Sequence, residues 1–175
     1  RDGDLDLLVG NPLDLTLSRL LGDGSGQFTP TAPLALPVSP SRIVVAQLDG
    51  DALPDIAVGS QTTSAIVVLA GTGGGAFAPA QMLAMPGIVT DVAAGDVDGD
   101  GLPDLAAALY EQDGFAIRRN LGGFAFAPAQ MFTATRNPPV LALADMNGGG
   151  KLDVVMLGIF STLSVHMGNG DGTFG

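Results

Sequence analysis

The chain has no cysteine and no tryptophan, and only one tyrosine, one histidine and one glutamate in 175 residues. Without cysteine there is no disulfide, no thiolate metal site and no thiol nucleophile, and the redox compartment stays open, compatible with a secreted protein. The scarcity of tryptophan and tyrosine removes the aromatic platforms on which sugars usually stack. Apolar runs are too short to cross a bilayer, and the chain opens at Arg1-Asp2-Gly3 with neither an initiating Met nor a signal-peptide pattern, so a fragment or mature segment is expected.

Positive charge is also scarce: seven Lys and Arg stand against 18 acidic residues, a formal net charge of −11. That balance repels phosphate backbones and anionic lipid, so neither nucleic acid nor membrane insertion is expected. Seventeen of the acidic residues are Asp, with Glu111 the exception. Glu normally shares the work of surface solubility, so the Asp excess implies a local purpose.

What is abundant is apolar surface and turn chemistry. A hydrophobic fraction of 46% is enough for a core, and 26 Gly with 12 Pro suit short strands joined by tight turns, an all-β chain. Asp6, Asp55, Asp104 and Asp153 recur every 49 residues. Ile43-Val44-Val45-Ala46, Val92-Ala93-Ala94-Gly95 and Leu141-Ala142-Leu143-Ala144 keep the same period, as do Phe28, Phe77 and Phe126, whereas Phe174 comes one residue early.

Each period reads as an apolar strand, an Asp/Gly loop, a second apolar strand, an alternating strand and a last strand after the Phe. Four strands per 49 residues is the size of one β-propeller blade and too long for a β-helix coil. The expected architecture is therefore one partial β-propeller of about 3.5 repeats, with a partial first blade at 1–38, blades at 39–87 and 88–136, and a partial fourth at 137–175. Such a set does not close a ring alone; the remainder of a longer chain, the preferred alternative, or a second copy would complete it.

The third period holds Asp96, Asp98, Asp100 and Asp104 at loop positions 1, 3, 5 and 9, with Gly101 at 6 and the Leu102 carbonyl at 7. Alternate residues of a curled loop aim their oxygens at one point, as a hard divalent cation requires, and an all-oxygen set favours Ca2+ over zinc or copper. Ala107 at position 12 and the strand flanks exclude an EF-hand. The second period offers Gln47, Asp49, Asp51, Asp55 and the Leu53 carbonyl, with the Gln47 oxygen expected to stand in for a carboxylate. In the fourth, Asp145, Asn147, Asp153 and position-7 Lys151 are candidates, but Gly149 replaces a ligand and the Lys151 ammonium adds positive charge nearby. The first keeps only Asp2, Asp6 and the Asp4 carbonyl. Asp residues that merely form turns are the plain alternative.

With Gly71-Thr72-Gly73-Gly74-Gly75-Ala76-Phe77 and Gly168-Asn169-Gly170-Asp171-Gly172-Thr173-Phe174, these loops make the chain resemble the FG-GAP and VCBS repeat family. The resemblance implies integrin-α-like propeller blades with one calcium per Asp loop, in extracellular or cell-surface proteins used for adhesion, carbohydrate recognition or scaffolding. It implicates Asp96, Asp98, Asp100, Leu102 and Asp104 most directly. Gln47, Ala52 and Gly149 depart from the loop pattern, which leaves the number of metals open.

No catalytic set emerges. A glycosidase needs two differently tuned carboxyls across a cleft, which metal-ligated Asp residues do not supply. His166 alternates with Leu163, Val165 and Met167 and reads as a solvated or interface residue. Arg118, Arg119 and Arg136 as an anion patch, and Tyr110, Glu111 and Gln112 as a sugar pocket, are weaker alternatives. The expected function is a noncatalytic, calcium-binding extracellular module for a protein or glycan ligand. An accessory propeller of a larger secreted enzyme and a carbohydrate-binding lectin are the alternatives.

Overall fold

The computed structural model describes residues 3–110, 112–134, 137–159 and 162–175. Asp2, Glu111 and Arg136 lie outside them. The described residues contain no helix and form a succession of separate antiparallel sheets.

In the first sheet β1 (Leu7–Asn11) pairs with β2 (Thr16–Gly22), which also takes β3 (Phe28–Pro30) and β4 (Leu34–Ala35). The second sheet contains β5 (Pro40–Ala46), β6 (Asp55–Ser60) and β7 (Ala65–Leu69); a small hairpin of β8 (Gly71–Gly73) and β9 (Ala76–Phe77) then leads to its edge strand β10 (Gln81–Ala84). The third runs in chain order through β11 (Ile88–Gly95), β12 (Asp104–Tyr110), β13 (Gly114–Arg118) and β14 (Gln130–Thr133). The fourth has β15 (Val140–Ala144), β16 (Asp153–Leu157) and β17 (Leu163–His166).

The strands of the two middle sheets read as continuous runs of small and branched apolar residues because both their faces are covered. Along β6, Ile56 and Val58 enter the core shared with the first sheet, while Ala57 enters the core shared with the third. Along β12, Leu105, Ala107 and Leu109 face the second sheet, and Ala106 and Ala108 face the fourth. This is the two-residue alternation of a pleated strand, applied to two apolar faces.

Successive sheets meet along their first strands: β5 lies beside β11, and β11 beside β15. A bulge near the start of β5, between Pro40 and Ile43, and another in β11, between Val89 and Asp91, interrupt the ladders there. Each bulge turns a hydroxyl toward the next sheet. Ser41 Oγ donates to the Val89 carbonyl at 2.9 Å, and Thr90 Oγ to the Pro138 carbonyl at 2.8 Å. Asp91, almost fully buried, accepts from Leu141 N at 3.0 Å and pairs with Arg42 Nε at 3.1 Å, so one carboxylate ties three sheets together.

The hairpin of β8 and β9 recurs as the bridges Asn120 to Phe126 and Gly168 to Phe174. The early arrival of Phe174 has a local cause. The buried Asp that opens the second strand binds a backbone amide 16 residues ahead in the second and third sheets but 15 ahead in the fourth. One residue is missing before the hairpin, and the hydrogen bond is kept.

The outer faces of the first and fourth sheets differ from the middle. Leu5, Leu7 and Val9 on one side, and Leu157, Leu163 and Met167 on the other, are exposed.

Candidate metal centre

The second, third and fourth Asp loops each connect the first and second strands of a sheet, whereas the first precedes β1, and their conformation follows from side-chain oxygens accepting nearby backbone N–H groups. In the third loop Asp96 Oδ1 accepts from Gly99 N at 2.7 Å and its Oδ2 from Gly101 N at 2.9 Å. Asp98 accepts from Asp100 N, and Asp100 from Leu102 N. Positions 4 and 6 take left-handed backbone conformations, φ 81° at Gly99 and 88° at Gly101, which glycine adopts without strain.

Position 9 has a different role from the rest. Asp55, Asp104 and Asp153 are fully buried, and each uses both carboxylate oxygens as a staple. Asp104 Oδ2 accepts from Val97 N at 3.0 Å and Oδ1 from Asn120 N at 2.7 Å. Asp55 does the same with Leu48 N and Gly71 N, and Asp153 with Met146 N and Gly168 N. Asp6, at an exposed position, accepts from Gly22 N. In the second, third and fourth sheets the residue that sets the 49-residue period thus joins its loop to the segment after the third strand.

Asp96, Asp98 and Asp104 bring one carboxylate oxygen each to within 4.8 Å of one another, the one such group among the described residues. Asp100 is not in this closest group. Burial first, then the neighbouring Asp98 and Asp100 charges, raise the Asp104 pKa to about 6 against the opposing pull of its two backbone donors. The Arg119 guanidinium lies 3.6 Å from Asp98 and offsets part of this charge from the rim.

The hairpin of the following sheet closes over the second and third loops. Gly172 N donates to the Val97 carbonyl at 3.1 Å, and Asn120 Nδ2 to the Leu48 carbonyl at 2.8 Å. The third loop therefore sits at a joint between two sheets.

The second loop has the same frame with a different centre. Gln47 Oε1 accepts from Gly50 N at 2.6 Å, the bond Asp96 makes to Gly99. The amide nitrogen, not the oxygen, then points into the loop, donating to Asp49 at 3.1 Å, Asp51 at 3.0 Å and the Leu53 carbonyl at 3.4 Å. Position 6 is Ala52, held at φ 68°. Burial raises the Asp55 pKa, as in Asp104.

In the fourth loop the Asp145 oxygens are taken by the N–H groups of Gly148, Gly149 and Gly150, and that of Gly150 leads in holding its pKa below the usual carboxylate value. Asn147 accepts from Gly149 N, and Lys151 lies against Gly170 of the hairpin. In the first, Asp4 lies beside Gly24.

Arg118 and His166 have structural roles. Arg118 donates to the Ala84 and Ala127 carbonyls across sheet edges. His166 packs on Phe115 with ring centroids 5.3 Å apart, and burial lowers its pKa, so it is an interface residue. Sequence reasoning did not find the staple function of position 9 or the ties made by Ser41, Thr90 and Asp91. Only the recurrence of Asp at a position flanked by apolar residues hinted at the first.

No curated protein matches the chain. Among solved structures it is similar to an Agrocybe aegerita lectin described as recognising non-reducing terminal N-acetylglucosamine, at 21% identity and a TM-score of 0.64, covering 97% of this chain and 50% of that one. It is also similar to BBS1N, solved in complex with ARL6DN, at 14% identity and a TM-score of 0.61, covering 91% of this chain and 42% of that one. A third, the Photorhabdus luminescens Tc holotoxin pore, gives 21% identity and a TM-score of 0.51 over 97% of this chain and 9% of that one. The chain spans half or less of each of these, and at such identities the likeness is one of fold. The sequence matches the FG-GAP-like repeat three times, over residues 1–58, 47–107 and 96–156, and the chain belongs to that repeat family.

Proposed function

We propose that the chain forms part of a noncatalytic β-propeller that holds calcium in its third Asp loop and serves outside the cell as a ligand-binding, adhesion or scaffold module. The propeller is supported by the order of the sheets, whose first strands β5, β11 and β15 lie side by side while their faces stack on shared cores. The exposed apolar residues on the first and fourth sheets are surfaces that further repeats, or a second copy, would cover.

The calcium assignment is carried by one observation: three carboxylate oxygens within 4.8 Å of each other in an all-oxygen loop. Like charges that close repel unless a cation lies between them, and a donor set of carboxylates with a backbone carbonyl suits calcium. Asp96, Asp98, Asp100, Asp104 and the Leu102 carbonyl would hold it, and the bound ion would supply positive charge at the centre of this joint, where Arg119 reaches only the rim. The noncatalytic assignment rests on the same residues being committed to backbone amides, and on His166 lying against Phe115.

Thermal unfolding of EDTA-stripped protein with and without millimolar calcium, with magnesium as control, tests this. A ligand that binds only the folded state at about 100 times its Kd adds about 2.7 kcal/mol, so a clear calcium-specific rise in Tm is expected. No shift removes the metal from the proposal.

A cleft of about 460 Å³ between the first and second sheets, lined by Leu5, Leu21, Phe77 and Arg19 among others, favours a small ligand as a second reading. The buried Arg19 Nε there has no partner, and the volume suits a monosaccharide or other small polar ligand. A glycan array that includes N-acetylglucosamine tests it: a hit lost on Arg19→Ala places the ligand in the cleft, and no binding leaves a protein ligand.

A further inference from the structure

The second Asp loop does not fit a metal ion, because a side-chain amide occupies its centre. Gln47 Nε2 donates to Asp49 Oδ1, Asp51 Oδ1 and the Leu53 carbonyl at 3.1, 3.0 and 3.4 Å, the oxygens at positions 3, 5 and 7 that would otherwise surround a cation. We infer that Gln47 acts as a built-in substitute for the cation, so that the second loop is closed without metal while the third depends on one. This rests on the reading of the third loop as a metal site.

Two physical features hold the amide this way round. Its oxygen is engaged by Gly50 N at 2.6 Å, the bond that position 1 also makes in the third and fourth loops at 2.7 and 2.8 Å. Turning the amide over would point its N–H groups at the Gly50 donor and place its oxygen against two carboxylates and a carbonyl, a repulsive set. A metal could enter only by breaking three hydrogen bonds and the Gly50 bond together. Nor does the second loop bring three carboxylates together as the third does. The buried staple Asp55 is nonetheless kept, with its bonds to Leu48 N and Gly71 N intact, so the loop retains its place in the fold without the ion.

The test is a calcium count by native mass spectrometry and calorimetric titration on four proteins: the parent chain, Asp49→Asn, Gln47→Asp, and the Gln47→Asp/Asp49→Asn pair. The expected count for the parent is unchanged by Asp49→Asn, rises by one in Gln47→Asp, and falls back in the pair. A parent count that drops by one on Asp49→Asn overturns the inference, as does a folded Gln47→Asp protein that gains no ion. Asp98→Asn on the parent separates the two claims: if it removes no ion, the third-loop reading fails, whatever happens at Gln47. Should Gln47→Asp fold poorly, the Gln47 side-chain amide resonances of 15N-labelled parent protein, assigned by their loss in Gln47→Ala, give a second measurement. They stay in place through a calcium titration if the amide keeps its position, and a saturating calcium-dependent shift refutes it.

Discussion

The second and third Asp loops share a backbone path, a buried carboxylate staple and a set of Asx-type hydrogen bonds, yet they solve the same electrostatic problem in two ways. In the third, Asp96, Asp98 and Asp104 crowd three carboxylates together, and in the proposed reading a calcium ion balances them. In the second, one change from carboxylate to amide at position 1 removes a negative charge and supplies N–H donors to the remaining ones. On that reading a repeat keeps its loop without a ligand, because the staple at position 9 holds the loop through backbone amides while the residue at position 1 decides whether the centre takes an ion or an amide.

Cutting the staple should have the largest effect, and it should differ between the loops. Asp104→Ala leaves the N–H groups of Val97 and Asn120 without their acceptor inside the fold, at a cost of about 2–6 kcal/mol. Asp55→Ala deprives Leu48 and Gly71 in the same way. In urea unfolding the Asp55→Ala loss should be the same with or without calcium, whereas Asp104→Ala should also abolish the calcium-induced gain. Equal behaviour of the two variants toward calcium would erase the distinction drawn here.

The next effect is on pH dependence. Asp104 has a folded-state pKa raised to about 6 from the ordinary 3.8, and that of Asp55 is raised too, so the folded metal-free protein binds protons that the unfolded chain releases. Their contribution is fully present below about pH 3.8 and is lost as pH rises through about 6, by at most about 3 kcal/mol for Asp104. With calcium present the trend at the third loop reverses, since protons then compete with the ion. Tm measured from pH 4 to 7 in EDTA and in calcium should give slopes of opposite sign for this contribution.

Two substitutions have smaller effects. Ala52→Gly relieves a left-handed alanine at a position where the third and fourth loops carry Gly101 and Gly150, and should add about 1 kcal/mol, read as a rise in Tm without calcium. Arg119→Gln removes a partly exposed cation 3.6 Å from Asp98 and should tighten calcium binding by about two- to fivefold in a titration, more at low salt than at high.

Much of this was legible in the chain. The 49-residue spacing of Asp6, Asp55, Asp104 and Asp153 marked the repeats, and the apolar runs between them lie where β6, β12 and β16 form. The third loop could be read because its Asp residues alternate and its glycines stand where the backbone turns left-handed. The orientation of Gln47 could not be read, since an amide offers oxygen or nitrogen equally, and the choice falls to Gly50 N and the surrounding acceptors. Nor could Ser41, Thr90 and Asp91 be recognised as ties between sheets: their hydrogen-bond donors and acceptors across sheets lie 48 to 50 residues away and are backbone atoms, which carry no residue-type signal, and only the Arg42 pair of Asp91 joins two side chains.

By itself, then, the sequence determined the β class, the period, the positions of the loops and the oxygen-rich chemistry of the third one, because these depend on residue type and local spacing. The tertiary structure alone decided that position 9 is a buried staple, that the hairpin of the next sheet closes over the second and third loops, and that an amide rather than an oxygen occupies the second. Those outcomes turn on which backbone donors and acceptors are brought within about 3 Å of a side chain by packing, and no local pattern encodes that meeting.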